Sequence, residues 1–246
     1  MIKLSVNVNK IATLRNARGG DQPNVVRAVQ TCIDAGCHGI TVHPRPDSRH
    51  IRHQDVRDLA ALLADRSGIE FNIEGYPSTE FLDLVCQVRP TQCTLVPDPP
   101  DVLTSNAGWD LSSDVTWLGQ VLQRLHDSGI RTSLFLDPDS DQVRRAKEVG
   151  TDRIELYTEQ YARLFGSAEQ EQVYAAYHLV AQTAQEAGLG LNAGHDLNLE
   201  NLPYFAEHLP GLLEVSIGHA LICDALYMGL VASVKAYLNA LGSTAP

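Results

Sequence analysis

Eight times along its 246 residues, a short run rich in β-branched residues gives way to a longer stretch of helical periodicity, and this alternation constrains the fold more than any other feature. Such runs, joined by helical crossovers, predict parallel strands. The predicted strands are Lys3 to Val8, Gly39 to His43, Glu70 to Glu74, Gln92 to Val96, Thr132 to Leu136, Arg153 to Leu156, Leu189 to Asn192 and Leu213 to Ile217. Four connections repeat one punctuation: Asp34-Ala35-Gly36, Asp127-Ser128-Gly129, Glu148-Val149-Gly150 and Glu186-Ala187-Gly188. Each reads as a helix end, because glycine there adopts the left-handed conformation that lets the last carbonyls find donors. Eight βα units in this length suit a closed (β/α)8 TIM barrel, whereas a doubly wound sheet more often carries five or six strands. The one Pro-rich patch, Pro97 to Pro100, is too short for a linker, so a single domain over residues 1–246 is expected.

Charge narrows the functional classes. With 19 Lys and Arg against 30 Asp and Glu, a net charge of -11 repels a phosphate backbone, which speaks against nucleic-acid binding. Ten of the 19 cations nevertheless fall within the first 66 residues, where a small anion can be captured. The five cysteines (Cys32, Cys37, Cys86, Cys93, Cys223) are odd in number and lack CxxC spacing, as expected of reduced thiols in a cytoplasmic protein. No run of about 18 apolar residues and no signal-peptide core occurs, so neither a membrane partner nor export is expected.

In such a barrel the loops after the strands form the reactive face. Strand one runs into Asn7, Asn9, Lys10 and the RNARG segment with Arg15 and Arg18. Strand two opens into HPRPDSRH, with His43, Arg45, Arg49 and His50. In strand three, Glu70, Asn72 and Glu74 share a face, and carboxyls turned into a barrel need either cationic partners or a chemical task. Strands seven and eight both end in Gly-His, at Gly194-His195 and Gly218-His219. Glycine followed by a helix N-terminus admits an oxyanion to backbone N–H groups, and barrels commonly hold phosphate after these two strands. An imidazole titrating near neutrality among arginines suits His43 to proton transfer, while His53 and His208 read as packing or surface residues. No HExxH or Cys/His cluster supports a metal, and no late-strand lysine supports Schiff-base chemistry, Lys10 being the one nearby candidate. The residues alone thus describe an acid–base enzyme for a small phosphorylated carbonyl compound.

The segments NxNxIATLRNARG, GITVHPRPDSRHI, EFNIEG, SLFLDPD, IELYTExYA, LNAGHDLN and SIGHALI, in this order, together resemble the pyridoxine 5′-phosphate synthase family. The resemblance spans nearly the whole chain. It implies a (β/α)8 barrel that condenses 1-deoxy-D-xylulose 5-phosphate with 3-amino-2-oxopropyl phosphate, without a cofactor, and a symmetric homo-oligomer with the octamer as one form. It also implies His43 and Glu70 as proton acceptors, His195 as proton donor and Glu155 as stabiliser of a transition state. Asn7, Arg18, Asp196, Gly218 and His219 would hold the aminoketone phosphate; Asn9, Lys10, Arg45, His50 and Thr104 would hold the sugar phosphate. Asn9-Lys10 departs from a frequent Asp-His pair, Tyr157 and Glu159 from a frequent His and Gly, and the Gly75 to Thr79 loop is longer than usual. Glu74 is a second candidate for the role given to Glu70. Two other readings stand beside this one, a different phosphosugar isomerase or aldolase-type barrel and a non-catalytic phosphate-binding barrel.

Overall fold

The computed structural model describes residues 1–97 and 107–242. Eight parallel strands close on themselves in sequence order: β1 (Lys3–Asn7), β2 (Gly39–Val42), β3 (Glu70–Gly75), β4 (Gln92–Leu95), β5 (Arg131–Leu136), β6 (Arg153–Tyr157), β7 (Gly190–Gly194) and β8 (Leu212–Ile217). The helices between them are α1 (Asn9–Asn16), α2 (Val25–Asp34), α3 (His53–Leu63), α4 (Thr79–Val88), α5 (Thr116–Asp127) and α6 (Ser140–Val149). They continue with α7 (Glu159–Leu164), α8 (Gln170–Glu186), α9 (Leu202–His208), α10 (His219–Met228) and α11 (Leu230–Ala240). The predicted (β/α)8 barrel is therefore the fold, and each predicted strand overlaps an observed one.

The four acid-small-Gly sequences end α2, α5, α6 and α8, and their glycines take φ of +101°, +76°, +98° and +68° at Gly36, Gly129, Gly150 and Gly188. A side chain at these positions would be forced into the left-handed region, which is why the punctuation was legible. The widest boundary difference is at β7, which runs on through Ala193 and Gly194 where a turn is expected after Asn192. Gly194 belongs to the strand for a packing reason. A Cβ there would lie 2.4 Å from Glu155 Oε1, so only glycine leaves room for that carboxyl.

Period-two alternation sorts the strands into two environments. Outward residues such as Leu4, Val6, Ile40, Val42, Ile73 and Leu134 are fully buried against the helices and form the apolar core. The inward residues are polar, unlike the branched apolar layers usual in such barrels. Ser5 and Thr41 hydroxyls meet at 2.7 Å, Thr94 donates to Asn72 Oδ1 at 3.1 Å, and Asn72 donates to Thr41 Oγ1 at 3.4 Å. The lumen is held together by hydrogen bonds, whose geometry fixes the side chains that reach the mouth.

Candidate active site

The mouth is built from the C-terminal ends of the strands, and the NxN segment of β1 ties three of them together. Asn7 Nδ2 donates to Glu74 Oε2 at 3.4 Å on β3, while Asn7 Oδ1 accepts from the Asn9 amide at 3.0 Å. Asn9 Oδ1 in turn accepts from the His43 backbone N–H at 2.9 Å, just past β2. The Asn9 amide oxygen thus supplies the acceptor that a carboxylate would supply here. On the opposite side a Cβ on Gly218 would lie 3.0 Å from Asn7 Cβ, so glycine is needed where β8 closes against β1.

The loop from His43 to Arg52 is pinned from outside by α1. Arg15, nearly inaccessible, forks onto both Asp55 oxygens and donates to the His50 carbonyl at 3.2 Å; Asn16 Nδ2 donates to the same carbonyl at 2.8 Å. Asp55 also caps α3 by accepting from the Arg52 amide at 2.7 Å. Of the two arginines in RNARG, Arg15 is therefore a brace for the loop, and Arg18 is exposed beyond α1. Motif reasoning placed Arg15 on the reactive face without its bracing role and missed Asn16 and Asp55; the apolar positions of α1 alternating with a lone Arg were the available signal for the brace.

Within this loop the rings of His43 and His50 stand 6.0 Å apart. Burial, followed by the charges of Arg45, His50, His195 and Arg49, drives the His43 imidazole down to about 3; burial, Arg45, Lys10 and Arg49 bring His50 to about 4. Both rings are neutral at physiological pH, and an anion opposite the cations would raise their basicity. The influence of His195 on His43 reflects the same convergence from β7.

His195 lies in a notch formed by Phe135 and Tyr157, with ring centroids 5.2 and 5.3 Å away. Its backbone has φ +75°, and Asp196 follows at +55°; two successive non-glycine residues in the left-handed region persist only where neighbours enforce them. Thr158 does so from β6. Its hydroxyl donates to the Gly194 carbonyl at 2.7 Å and to that of His195, while Asn201 Nδ2 donates to the Asp196 carbonyl at 3.2 Å. Asp196 and His219 are exposed on the rim, with Gly218 half-buried behind His219.

Two carboxyls complete the mouth. Glu74 and Glu155 are buried and form no ion pair among the described residues. Burial and then the charge of Glu214 push Glu74 up to about 8; burial, Glu74 and Glu214 hold Glu155 well above the ordinary carboxyl range. Both can carry a proton at neutral pH.

Glu70 stands apart from the mouth. It is the first residue of β3, at the N-terminal end of the barrel, where it is paired with Lys3 and Arg131, themselves the first residues of β1 and β5. Four residues of strand separate it from Glu74, about 13 Å at strand rise. These partners hold Glu70 below its ordinary value despite burial, so it is a carboxylate paired with two cations. Thr104 lies outside the described residues. No cluster of three or more His, Cys, Asp or Glu suited to a metal occurs among the described residues, and none of their helices is long and apolar enough to cross a membrane.

The chain is similar to known proteins over nearly its whole length. A pyridoxine 5′-phosphate synthase of Bacteroides thetaiotaomicron is 55% identical over 241 residues, covering 98% of this chain and 100% of the relative. One from Porphyromonas gingivalis is 55% identical over 245 residues, covering 98% and 99%. Among solved structures, a phosphoribosyl anthranilate isomerase superposes with a TM-score of 0.62 at 12% identity, covering 98% of this chain and 99% of the other. A Mycobacterium tuberculosis tryptophan synthase does so with 0.65 at 12%, covering 98% and 93%; likenesses this remote show the barrel alone. The family model described as pyridoxal phosphate biosynthesis protein PdxJ matches residues 4–243, and with relatives this similar over their whole length the chain belongs to that family.

Proposed function

We propose that the chain condenses 3-amino-2-oxopropyl phosphate with 1-deoxy-D-xylulose 5-phosphate, closing the ring of pyridoxine 5′-phosphate with release of inorganic phosphate and water. The observation that carries this reading is one mouth holding two neutral imidazoles, His43 and His50, beside His195 and two cation-free carboxyls, Glu74 and Glu155. The curated relatives bear the synthase name. The amine attacks the sugar ketone to give an imine; protons must then leave carbon, and water and phosphate must depart with protons delivered to them. Several transfers need groups of spread basicity, each worth about 10² to 10⁴ in rate.

His43 and Glu74 serve as the proton acceptors, Glu74 taking the role first given to Glu70. His195 serves as the donor and Glu155, kept protonated by burial, stabilises a transition state by donating a hydrogen bond. Asn7, Arg18, Asp196, Gly218 and His219 hold the aminoketone phosphate, and Asn9, Lys10, Arg45 and His50 the sugar phosphate, with Asn9 also fixing the His43 backbone. Purified protein given both phosphates is expected to form pyridoxine 5′-phosphate, detected by fluorescence or mass. Conversion of either substrate alone, with no ring product, would replace this reading by that of a phosphosugar isomerase or aldolase.

The proposal extends to a homo-oligomer. Leu226 and Tyr227 at the end of α10 are 70% and 93% exposed and adjoin Met228 and Val231, an apolar patch suited to a second copy of the chain. Sedimentation above the mass of one chain is expected, and a 26.9 kDa particle at micromolar concentration would overturn it.

A further inference from the structure

From the mouth down to the floor the lumen holds four carboxyls and three cations, and they are unequally shared. Glu70 takes both Lys3 and Arg131. Glu214, on β8, is buried and accepts from Asn192 Nδ2 at 3.5 Å, while Arg153 donates to Oδ1 of that asparagine at 3.1 Å. The amide stands between guanidinium and carboxyl. Two residues further up β8, about 7 Å at strand rise, Ser216 pairs with Ser5 of β1, two residues below the Asn7 that donates to Glu74 at 3.4 Å. Glu214 thus lies between an ion cluster at the barrel floor and two carboxyls without cations above.

We propose that Glu214 is a positioning residue for the reaction, repelling charge on Glu74 and Glu155 from below and so setting how many protons that pair holds. This rests on Glu74 as a base of the site. The groups facing Glu214 are Lys3 from β1, Glu70 and Glu74 from β3, Arg131 from β5 and Arg153 and Glu155 from β6. Those facing Glu74 are Glu155 and Glu214. Burial and Glu70 raise Glu214 to about 7, Arg153, Arg131 and Lys3 opposing them, while Glu74 stands at about 8. The two carboxyls are raised into an overlapping range, and each charge disfavours the other.

Glu214→Gln removes the charge and keeps the shape and an amide contact for Asn192. Its expected effect is an acidic limb of kcat/KM moved down by about one pH unit, so that at pH 6 the variant retains several-fold more of its plateau activity than wild type. Glu214→Asp keeps the charge and should keep the limb near its wild-type position. A merely structural role lowers activity without moving the limb. An unmoved limb in a folded Glu214→Gln protein overturns the proposal. Carboxyl-carbon NMR of wild-type protein labelled at glutamate gives a second reading even where the Gln variant fails to fold. Coupled titration of the Glu74 and Glu214 signals is expected, and independent single-site curves overturn the proposal. The spectra report Glu74 without turnover, so coupling can fail while Glu74 remains the base, or the reverse.

Discussion

Glu74→Gln should lower kcat by about 10³, within the range of lost general acid–base help, while the protein still folds and binds both phosphates. The amide is isosteric, can still meet Asn7, and removes a buried carboxyl that has no cation partner among the described residues, so stability should hold or rise. The pH dependence makes the assignment specific. A base raised to about 8 is protonated at neutral pH, so kcat/KM should fall as pH drops through about 8 in wild type, and the Gln variant should lack that limb. His43, at about 3, titrates below the working range and does not produce it. Glu70→Gln is the contrast. It strips Lys3 and Arg131 of their shared carboxylate at the floor and should cost about 2 kcal/mol of stability with kcat near wild type. The reverse result, with Glu70 essential to turnover and Glu74 dispensable, would restore the first assignment.

That contrast shows where the sequence was legible. Period two places Glu70, Asn72 and Glu74 on one face, and the structure agrees; which glutamate serves the mouth depends on its distance from the strand's C-terminal end. The rule that barrel chemistry gathers there favours Glu74, yet motif position favours Glu70. The eight strands and four glycine helix ends were readable because hydrophobic alternation and left-handed φ are local properties. The braces were not: Arg15 with Asp55, Thr158 with the His195 turn, and Asn192 between Arg153 and Glu214 join residues 22 to 40 positions apart, and nothing local marks such pairs. Glu214 carried a faint signal as a charged residue at an inward position of predicted strand eight, one that only the closed lumen turns into a neighbour of Glu74.

His195→Asn is expected to lower kcat by about 10² to 10⁴ while leaving KM for both substrates close to wild type. Asparagine is the informative replacement because it tolerates the left-handed backbone at φ +75° better than alanine does, so the strained turn and the Thr158 contacts persist. The amide offers hydrogen bonds but no transferable proton at neutral pH, which separates proton donation from phosphate binding by the neighbouring backbone. His195→Ala opens the notch between Phe135 and Tyr157, and added imidazole should restore part of its turnover. A rise in KM matching the fall in kcat/KM, with kcat unchanged, would instead make His195 a binding group. Proton delivery to the leaving water or phosphate would then have to come from a carboxyl held protonated by burial, of which Glu155 is the nearest, across the gap that Gly194 leaves open.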